Sequence, residues 1–566
     1  MMSEAVRPGR PRLFPGWRCP DELSVVSRRA AGRDRVTGRA GPEPPFSSAG
    51  RHTILSTASP AAPAQGELTY TSAQGRWVLL ATVLGSAMAS VDATVVGIAL
   101  PAIGKDFHAS LSTLQWVVTA YTLTLAGRLL LAGALGDRYG RKKVFLIGVV
   151  WFALASVLCG VAPTAPFLIA ARAVQGIGAA LLTPGSLAIL EASFRRDDRS
   201  KAIGAWSGLS GVGTAIGPFL GGWLIAAVSW RLIFYINLPL AIVVVVVGLR
   251  HLPESVDPGE TGRLDYAGGV LVTLGLIGLT YGLINGSAAG WTKPGSVTAL
   301  IAGVVLLAAF IAWERRAPEP LLPLSLFSSL QFTSANVLTF VVYGALGGIF
   351  FLLPLQLEQV SKYTPLEAGI ALLPVTFIML LLSARSGALA ARIGPRLQMS
   401  VGPVVIGAGL FLFARVGPSA GPSGNYVSEV LPAVLVFGFG LAINVAPLTS
   451  TVLAAAPDEV AGMASAVNND VARAAGLIAV AVLPAAAGLS GSSYLIPHEF
   501  SAGFRNATFI SGALCLLAGV LAVLTIRNPR RAETPATEPA SQFACGLDAP
   551  PAPVPAPAPA APATGR

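Results

Sequence analysis

The chain has 566 residues, of which 53% are hydrophobic and only 12% charged, about half the charged fraction of an average soluble domain. A water-soluble fold of this length needs far more polar surface, so the composition excludes a soluble enzyme or scaffold and implies a multi-spanning membrane protein. The net charge of +11 is too scattered among loops and tails to suggest nucleic-acid binding.

Residues 1–75 are rich in Arg, Ala, Gly, Pro and Ser and hold no apolar core of signal-peptide length. They are expected to form a disordered extension, part of which is expected not to be translated because it shows no helical or strand period. Fourteen apolar runs of bilayer length follow. They are 76–101, 112–135, 143–162, 165–191, 202–228, 231–250 and 264–286, then 296–314, 331–356, 367–390, 398–415, 429–453, 464–489 and 507–526. The third and fourth are separated only by a short turn at Pro163. Residues 528–566, with PAPVPAPAPAAPA, are Ala-Pro low complexity and are expected to be disordered. Cys159 and Cys515 fall inside spans and Cys19 and Cys545 in the tails, so no disulfide framework is suggested. No HExxH, CxxC or Walker loop occurs, which leaves no metal site and no ATP-driven domain in view.

Loop charge alternates with the count. Loops after even-numbered spans carry Arg138, Arg141, Lys142, Lys143, Arg195, Arg196, Arg199 and Lys201, then Arg250, Arg263, Arg315, Arg316, Arg392, Arg396, Arg527, Arg530 and Arg531. Loops after odd-numbered spans carry only Lys105, Arg231, Lys293, Lys362, Arg415 and Arg505. The positive-inside bias puts the first set and both termini in the cytoplasm of a multi-pass membrane protein. The chain also repeats itself: GALGDRYGRKK after span 2 has an echo, GALAARIGPR, after span 10. Gly133 matches Gly387, Leu135 matches Leu389, Arg138 matches Arg392 and Gly140 matches Gly394, with Asp137 replaced by Ala391. The implied layout is a six-helix half (76–250), two inserted helices (251–316) and a second six-helix half (317–527). Parallel six-helix halves build one large class of transporters.

Several residues stand out physically. Gly133 lets another helix approach span 2. Asp137 at a helix C-terminus is opposed by the macrodipole, so it needs a partner, either Arg141 or a neighbouring helix N-terminus; such a contact is a candidate latch. Asp92 lies nine residues before Pro101, roughly 14 Å inside the boundary, and Arg172 roughly 10 Å deep from the same side. Intramembrane ionisable residues are functional sites by default. The pair is expected either to couple to protons or to brace the bundle as a static ion pair. Gly213, Gly217 and Gly221, with Pro218 and Gly222, form a small-residue ridge on span 5.

Arg128 and Asp470 are expected to pair across the two halves, since each alone is costly at depth; alternatively Asp470 pairs with Arg473 and Arg128 lines water. Trp116, Tyr121, Asn336, Tyr343 and Asn444 are candidates to line a substrate cavity. Glu358 and Asp265 are expected to be solvated near span ends, and Glu191 to join a charge cluster.

GALGDRYGRKK resembles the loop 2–3 signature of the major facilitator superfamily. VDATVVGIALP, LQWVVTAYTL, RAVQGIGAA, GTAIGPFLGG and WRLIFYINLP resemble further motifs of its fourteen-helix drug:proton antiporter branch. The likeness covers about residues 76–526. It implies an all-helical protein of two rocking six-helix bundles plus two inserted helices, acting as a monomer with no cofactor beyond the proton motive force. Proton import would drive export of a small amphipathic compound. Asp92 and Arg172 would couple to protons, and Gly133, Asp137, Arg138, Gly140 and Arg141 would form a cytoplasmic gate. The GPxxGG form on span 5 would mark an antiporter. A proton-coupled nutrient symporter or a membrane-embedded lipid-modifying enzyme are the alternatives. The first lacks a reason for the span 5 motif and the second for the repeated halves.

Overall fold

The computed structural model describes residue 66 and residues 68–256, 264–421, 425–457, 460–489 and 493–528. Most of the expected leader, Arg263, Arg530, Arg531 and the Ala-Pro tail lie outside the described residues. The first half comprises α1 (Ala73–Asp106), α2 (Leu111–Ala126), α3 (Leu129–Tyr139), α4 (Arg141–Gly160), α5 (Ala165–Ser193), α6 (Arg196–Ala227), α7 (Leu232–Tyr235) and α8 (Asn237–His251). A hairpin of α9 (Tyr266–Ala289) and α10 (Pro294–Glu314) follows. The second half comprises α11 (Leu330–Leu355), α12 (Pro365–Ala371), α13 (Leu373–Ile393), α14 (Pro395–Phe413), α15 (Leu431–Ala454), α16 (Ala461–Ala486) and α17 (Pro497–Thr525). Thirteen described helical runs are long and apolar enough to cross a bilayer, and α2 with α3 makes a fourteenth when taken as one span. The fold is all-helical, and the count agrees with the sequence.

Helix starts follow local chemistry. The side chains of Ser72, Ser110, Thr164 and Ser329 accept from backbone N–H groups in the first turns of α1, α2, α5 and α11. Thr364 and Glu367 form a reciprocal capping box at α12. Where the α3–α4 and α13–α14 turns reverse the chain, Gly140 (φ +106) and Gly394 (φ +87) adopt the left-handed backbone that glycine tolerates.

The second span is not the continuous helix expected over 112–135. It breaks at Gly127–Arg128 and bends by 42°, with Arg128 outside the helical region. The cause is the inserted hairpin. Thr273 Oγ1 of α9 donates to the Gly127 carbonyl at 2.8 Å, and a β-carbon at residue 127 would lie 2.7 Å from that oxygen. Glycine permits the approach and the threonine satisfies the freed carbonyl.

Within the hairpin, small residues let the backbones touch: a β-carbon on Gly278 would lie 2.9 Å from Gly303 Cα. Leu276 of α9 packs in one cluster with Leu123 and Ala126 of α2 and Leu477 of α16, so the insert seats on both halves. The two halves also meet directly, away from the end that carries the Gly140 and Gly394 turns (the motif end). At the opposite end Gln115 Nε2 donates to the Val480 carbonyl at 2.6 Å, and the Tyr494 hydroxyl donates to the Ala109 carbonyl. At the motif end of α6, β-carbons built on Gly204, Gly208 and Gly211 would meet nothing within 4 Å. The two halves thus close at one end and leave α6 facing open space at the other.

Candidate functional site

Among the described residues of the first half, the buried charged side chains are two. Asp92 on α1 and Arg172 on α5 are 2% and 1% exposed and form a direct ion pair. Each leaves further hydrogen-bonding capacity to satisfy. Gln175, one turn beyond Arg172, accepts from Arg172 Nη1 at 2.6 Å and donates to Asp92 Oδ1 at 2.8 Å. Asn237 at the start of α8 donates to the same carboxylate oxygen at 3.3 Å. The Ser156 hydroxyl of α4 accepts from both amides. Arg172 Nε donates to the Val117 carbonyl, and the guanidinium lies 4.2 Å from the centre of the Tyr121 ring. Five spans, α1, α2, α4, α5 and α8, therefore converge on one carboxylate–guanidinium pair. A buried pair of this kind stands only when its remaining donors and acceptors are occupied, and here the two amides supply them.

Gln175 and Asn237 lie inside the motifs RAVQGIGAA and WRLIFYINLP, but sequence reasoning named neither. An uncharged amide in an apolar run carries little signal. Tyr121, expected in the substrate cavity, is instead 2% exposed and covers Arg172, with its hydroxyl donating to the Ala89 carbonyl. Trp116 packs against Tyr281 of the hairpin. Asn336 is buried and shares a polar network with Asn468 and Thr339. Asn444 is fully buried beside Gly402, with both amide atoms unpartnered. Tyr343 does face space: with Thr449, Ser465, Asn468 and Asn469 it lines a cavity of about 140 Å³ between α11, α15 and α16.

At the motif end, Asp137 pairs with Arg141 at 2.6 Å, one of the two partners the sequence allowed. Arg199, Arg141 and Asp137 lie close enough to Glu191 to act on its charge, the surroundings expected of a charge cluster there. Arg138 stacks on Tyr139. Gly133 has Pro184 of α5 as its neighbour, 3.8 Å from where a β-carbon would sit, an ordinary contact with room for a methyl.

The turn has a further partner. Glu254, following α8, accepts from Lys142 N at 3.1 Å and would lie 2.7 Å from a β-carbon on Gly140. The second half repeats the arrangement. Asn528, following α17, accepts from Arg396 N at 3.0 Å and crowds Gly394.

The span 5 ridge does two jobs. β-carbons on Gly213, Gly217 and Gly221 would meet Ala87, Thr94 and Val95 of α1, at 3.1, 2.1 and 2.7 Å. Gly222 and Pro218 face the other half: a β-carbon on Gly222 would lie 2.3 Å from the Pro365 carbonyl, and one on Gly369 2.4 Å from the Pro218 carbonyl. The motif is at once a bearing on α1 and the closed seam with α12.

The expected Arg128–Asp470 pair is not formed. Arg128 is exposed at the helix break, and none of the four ion pairs among the described residues includes Arg128, Asp470 or Arg473. Arg473 is the charge that reaches Asp470, yet Asp470 Oδ1 and Arg473 Nε have no hydrogen-bond partner. The bend at Gly127 accounts for the miss, because it carries Arg128 off the straight helix that the depth argument assumed. Glu358 is also not solvated: its Oε1 is buried and unpartnered. Asp265 is partly exposed, as expected near a span end, and it caps α9 and accepts from Trp313.

Residues 82–481 match the family model of the Major Facilitator Superfamily. The chain is 35% identical over 406 residues to the tetracenomycin C resistance and export protein of Streptomyces glaucescens, covering 72% of this chain and 74% of that one. It is 33% identical over 464 residues to the puromycin resistance protein of Streptomyces alboniger, covering 80% and 91%. It is also 34% identical over 455 residues to the methylenomycin A resistance protein of Bacillus subtilis, covering 80% and 94%. Among solved structures, the backbone is similar to a bacterial homologue of the human lysosomal transporter Spinster, with a TM-score of 0.57 at 16% identity over 80% of this chain and 97% of that one. A D-xylose–proton symporter gives the same TM-score and identity, covering 80% and 98%. These structures share the fold with this chain, whose sequence, helices and repeated halves make it a membrane transporter, not an enzyme, that belongs to the Major Facilitator Superfamily.

Proposed function

We propose that this protein is a proton-driven antiporter exporting small amphipathic, antibiotic-like compounds across the cell membrane, with the motif end and both termini in the cytoplasm. The observation that carries the reading is the Asp92–Arg172 pair, sealed among α1, α2, α4, α5 and α8, with Gln175 and Asn237 donating to the carboxylate and Tyr121 covering the guanidinium. Arginine-rich loops at the motif end support the orientation. The names of the relatives, which are resistance and export proteins, support the substrate class.

The residues suggest how the steps link. With Asp92 ionised, Arg172 is neutralised and the first half is internally satisfied. A proton on Asp92 removes that counter-charge and leaves a buried cation held only by Gln175, the Val117 carbonyl and the Tyr121 face. Uncompensated buried charge costs about 3–5 kcal/mol, enough to bias a two-state rearrangement. Rocking would then proceed over the glycine bearing between α6 and α1, parting Gly222 from Pro365 at the outer seam. The Asp137–Arg141 pair, with Glu191 and Arg199 beside it, would change partners as the cytoplasmic end closes. Substrate would enter from the cytoplasm along the open face of α6 and meet the amide and hydroxyl groups around Tyr343. The protein is proposed to work as a monomer, powered by the proton gradient without a cofactor.

The test is a compound-panel susceptibility screen in an efflux-deficient host, with and without a protonophore, comparing the native chain with Asp92→Asn. Raised tolerance that disappears with either treatment is expected. Tolerance that survives both would overturn the coupling, and compound accumulation in place of loss would overturn export.

A further inference from the structure

The two ends of the inserted hairpin meet at the motif end, where each carries a carboxyl group. Asp265 caps α9: its Oδ1 accepts from Gly268 N at 2.8 Å and from Trp313 Nε1 at 2.9 Å. Glu314 is the last residue of α10 and only 3% exposed. Its Oε2 accepts from Leu322 N at 3.0 Å, while its Oε1 is buried with no partner. A β-carbon on Gly268 would sit 2.4 Å from Asp265 Oδ2 and 2.5 Å from Glu314 Oε1. The two oxygens flank one point, within roughly 5 Å of each other, where two carboxylates cannot both stay ionised without a cation. Among the described residues no such cation is in place; Arg263, two positions before Asp265, lies outside them. Arg315 and Arg316, next in the chain, are exposed, as are Tyr266 and Glu319, and neither arginine is among the ion pairs of the described residues. From α3 the approach is apolar, through Leu131. The two carboxyls act on each other across that gap, and a hydrogen bond between them requires a hydrogen on one of them.

We infer that Asp265 and Glu314 together bind one proton, forming a carboxyl–carboxylate site at the motif end of the hairpin that is separate from Asp92. The asymmetry is set by the helices. Asp265 sits at an N-terminus, where the macrodipole favours a negative charge, and Glu314 at a C-terminus, where it does not. The proton therefore resides on Glu314 and is donated to Asp265. The step is an exchange with buffer on that face: an O–H bond forms on one carboxyl as hydronium or the buffer acid gives up its own bond to that proton, and no other covalent bond changes.

The site is wired to the transport machinery through Leu321 and Leu322, the segment leading into the second half. Leu322 is held by Glu314, and Leu321 packs over Gly269 beside Leu131 of α3, the helix that ends in the Asp137 turn. With the proton in place the hairpin ends are joined and Leu321 is pinned against α3. When alkaline buffer removes it, repulsion parts the ends and frees that contact. The site thus senses pH on one side of the membrane and reports it to the gating helix.

The test uses the reconstituted full-length protein and infrared difference spectra between acidic and alkaline buffers. The native chain should show a protonated-carboxyl C=O band that Glu314→Gln lacks. Asp265→Asn, which keeps a good helix cap, should lack it too, because its amide can donate to an ionised Glu314. If the native spectrum shows no titrating carboxyl, or if both variants keep the full native band, the proposal falls. A band lost in Glu314→Gln but retained in Asp265→Asn would mean Glu314 is neutral through burial alone, which also overturns the shared site. The readout needs no transported compound, so it stands apart from whether export is proton-driven.

Discussion

Arg172 shows how closely chemistry and position are matched at single residues. Its planar fork donates to Asp92, to Gln175 Oε1 and to the Val117 carbonyl while its face lies on Tyr121. Lysine carries the same charge on a point-like ammonium and cannot reproduce that set. Arg172→Lys is therefore expected to leave at least one buried acceptor unpaired, lowering stability by about 1–3 kcal/mol and abolishing proton-linked efflux. Thermal melting in detergent and efflux in cells read the two effects separately. The double variant Asp92→Asn with Arg172→Gln removes both charges together, so it should melt above Arg172→Lys yet remain inactive in export. Recovery of export in that double variant would mean the pair only braces the bundle.

Among helices and turns, the same glycine does different work according to what faces it. Gly140 and Gly394 need positive φ, which costs other residues about 1–2 kcal/mol, and each is crowded by a side chain that follows the last helix of its half. Gly140→Ala should be destabilising, and adding Glu254→Ala should recover only the steric part, because the backbone strain remains. Thermal melting of the single and double variants checks this. Gly222 differs, since its neighbour is the Pro365 carbonyl, backbone that no rotamer change can move. Gly222→Ala should pry open the α6–α12 seam, read as faster maleimide labelling of a cysteine placed at Leu366. Unchanged labelling would show that this seam is not what closes the outer end.

Much at this level was legible in the sequence. Spans declare themselves by length and hydropathy, the need of Asp137 for a partner by its place at a helix C-terminus, with Arg141 one of two choices, and the repeat by the Gly140–Gly394 match. The partners Glu254 and Asn528 were not legible, because Glu254 lies 112 positions from the Lys142 amide it accepts from. Only the return of the sixth helix to the same end brings them together. The break in the second span was hidden for a similar reason: its cause, Thr273, belongs to a different helix. Arg128 was misplaced as a consequence.

For the whole molecule, the inserted hairpin raises a mechanical question, because α9 touches both halves and alternating exposure requires the halves to move apart. Its attachments are unequal. On the first half it is hydrogen-bonded to the broken helix at Gly127 and packed, ring tilted to ring, against Trp116, whereas in its apolar cluster it meets α16 of the second half through Leu477. Directional bonds fix one geometry, while apolar contact tolerates sliding. The hairpin should therefore ride with the first half and slip across α16. Cysteine pairs in a background lacking the native cysteines test this directly. Cross-linking Leu276→Cys to Ala126→Cys joins parts that move together and should leave export near the uncross-linked level. Cross-linking Leu276→Cys to Leu477→Cys ties α9 to the helix it must slide past, and should stop transport until the bridge is reduced. The reverse result would mean the hairpin belongs mechanically to the second half, with the bend at Gly127 as the surface that slips.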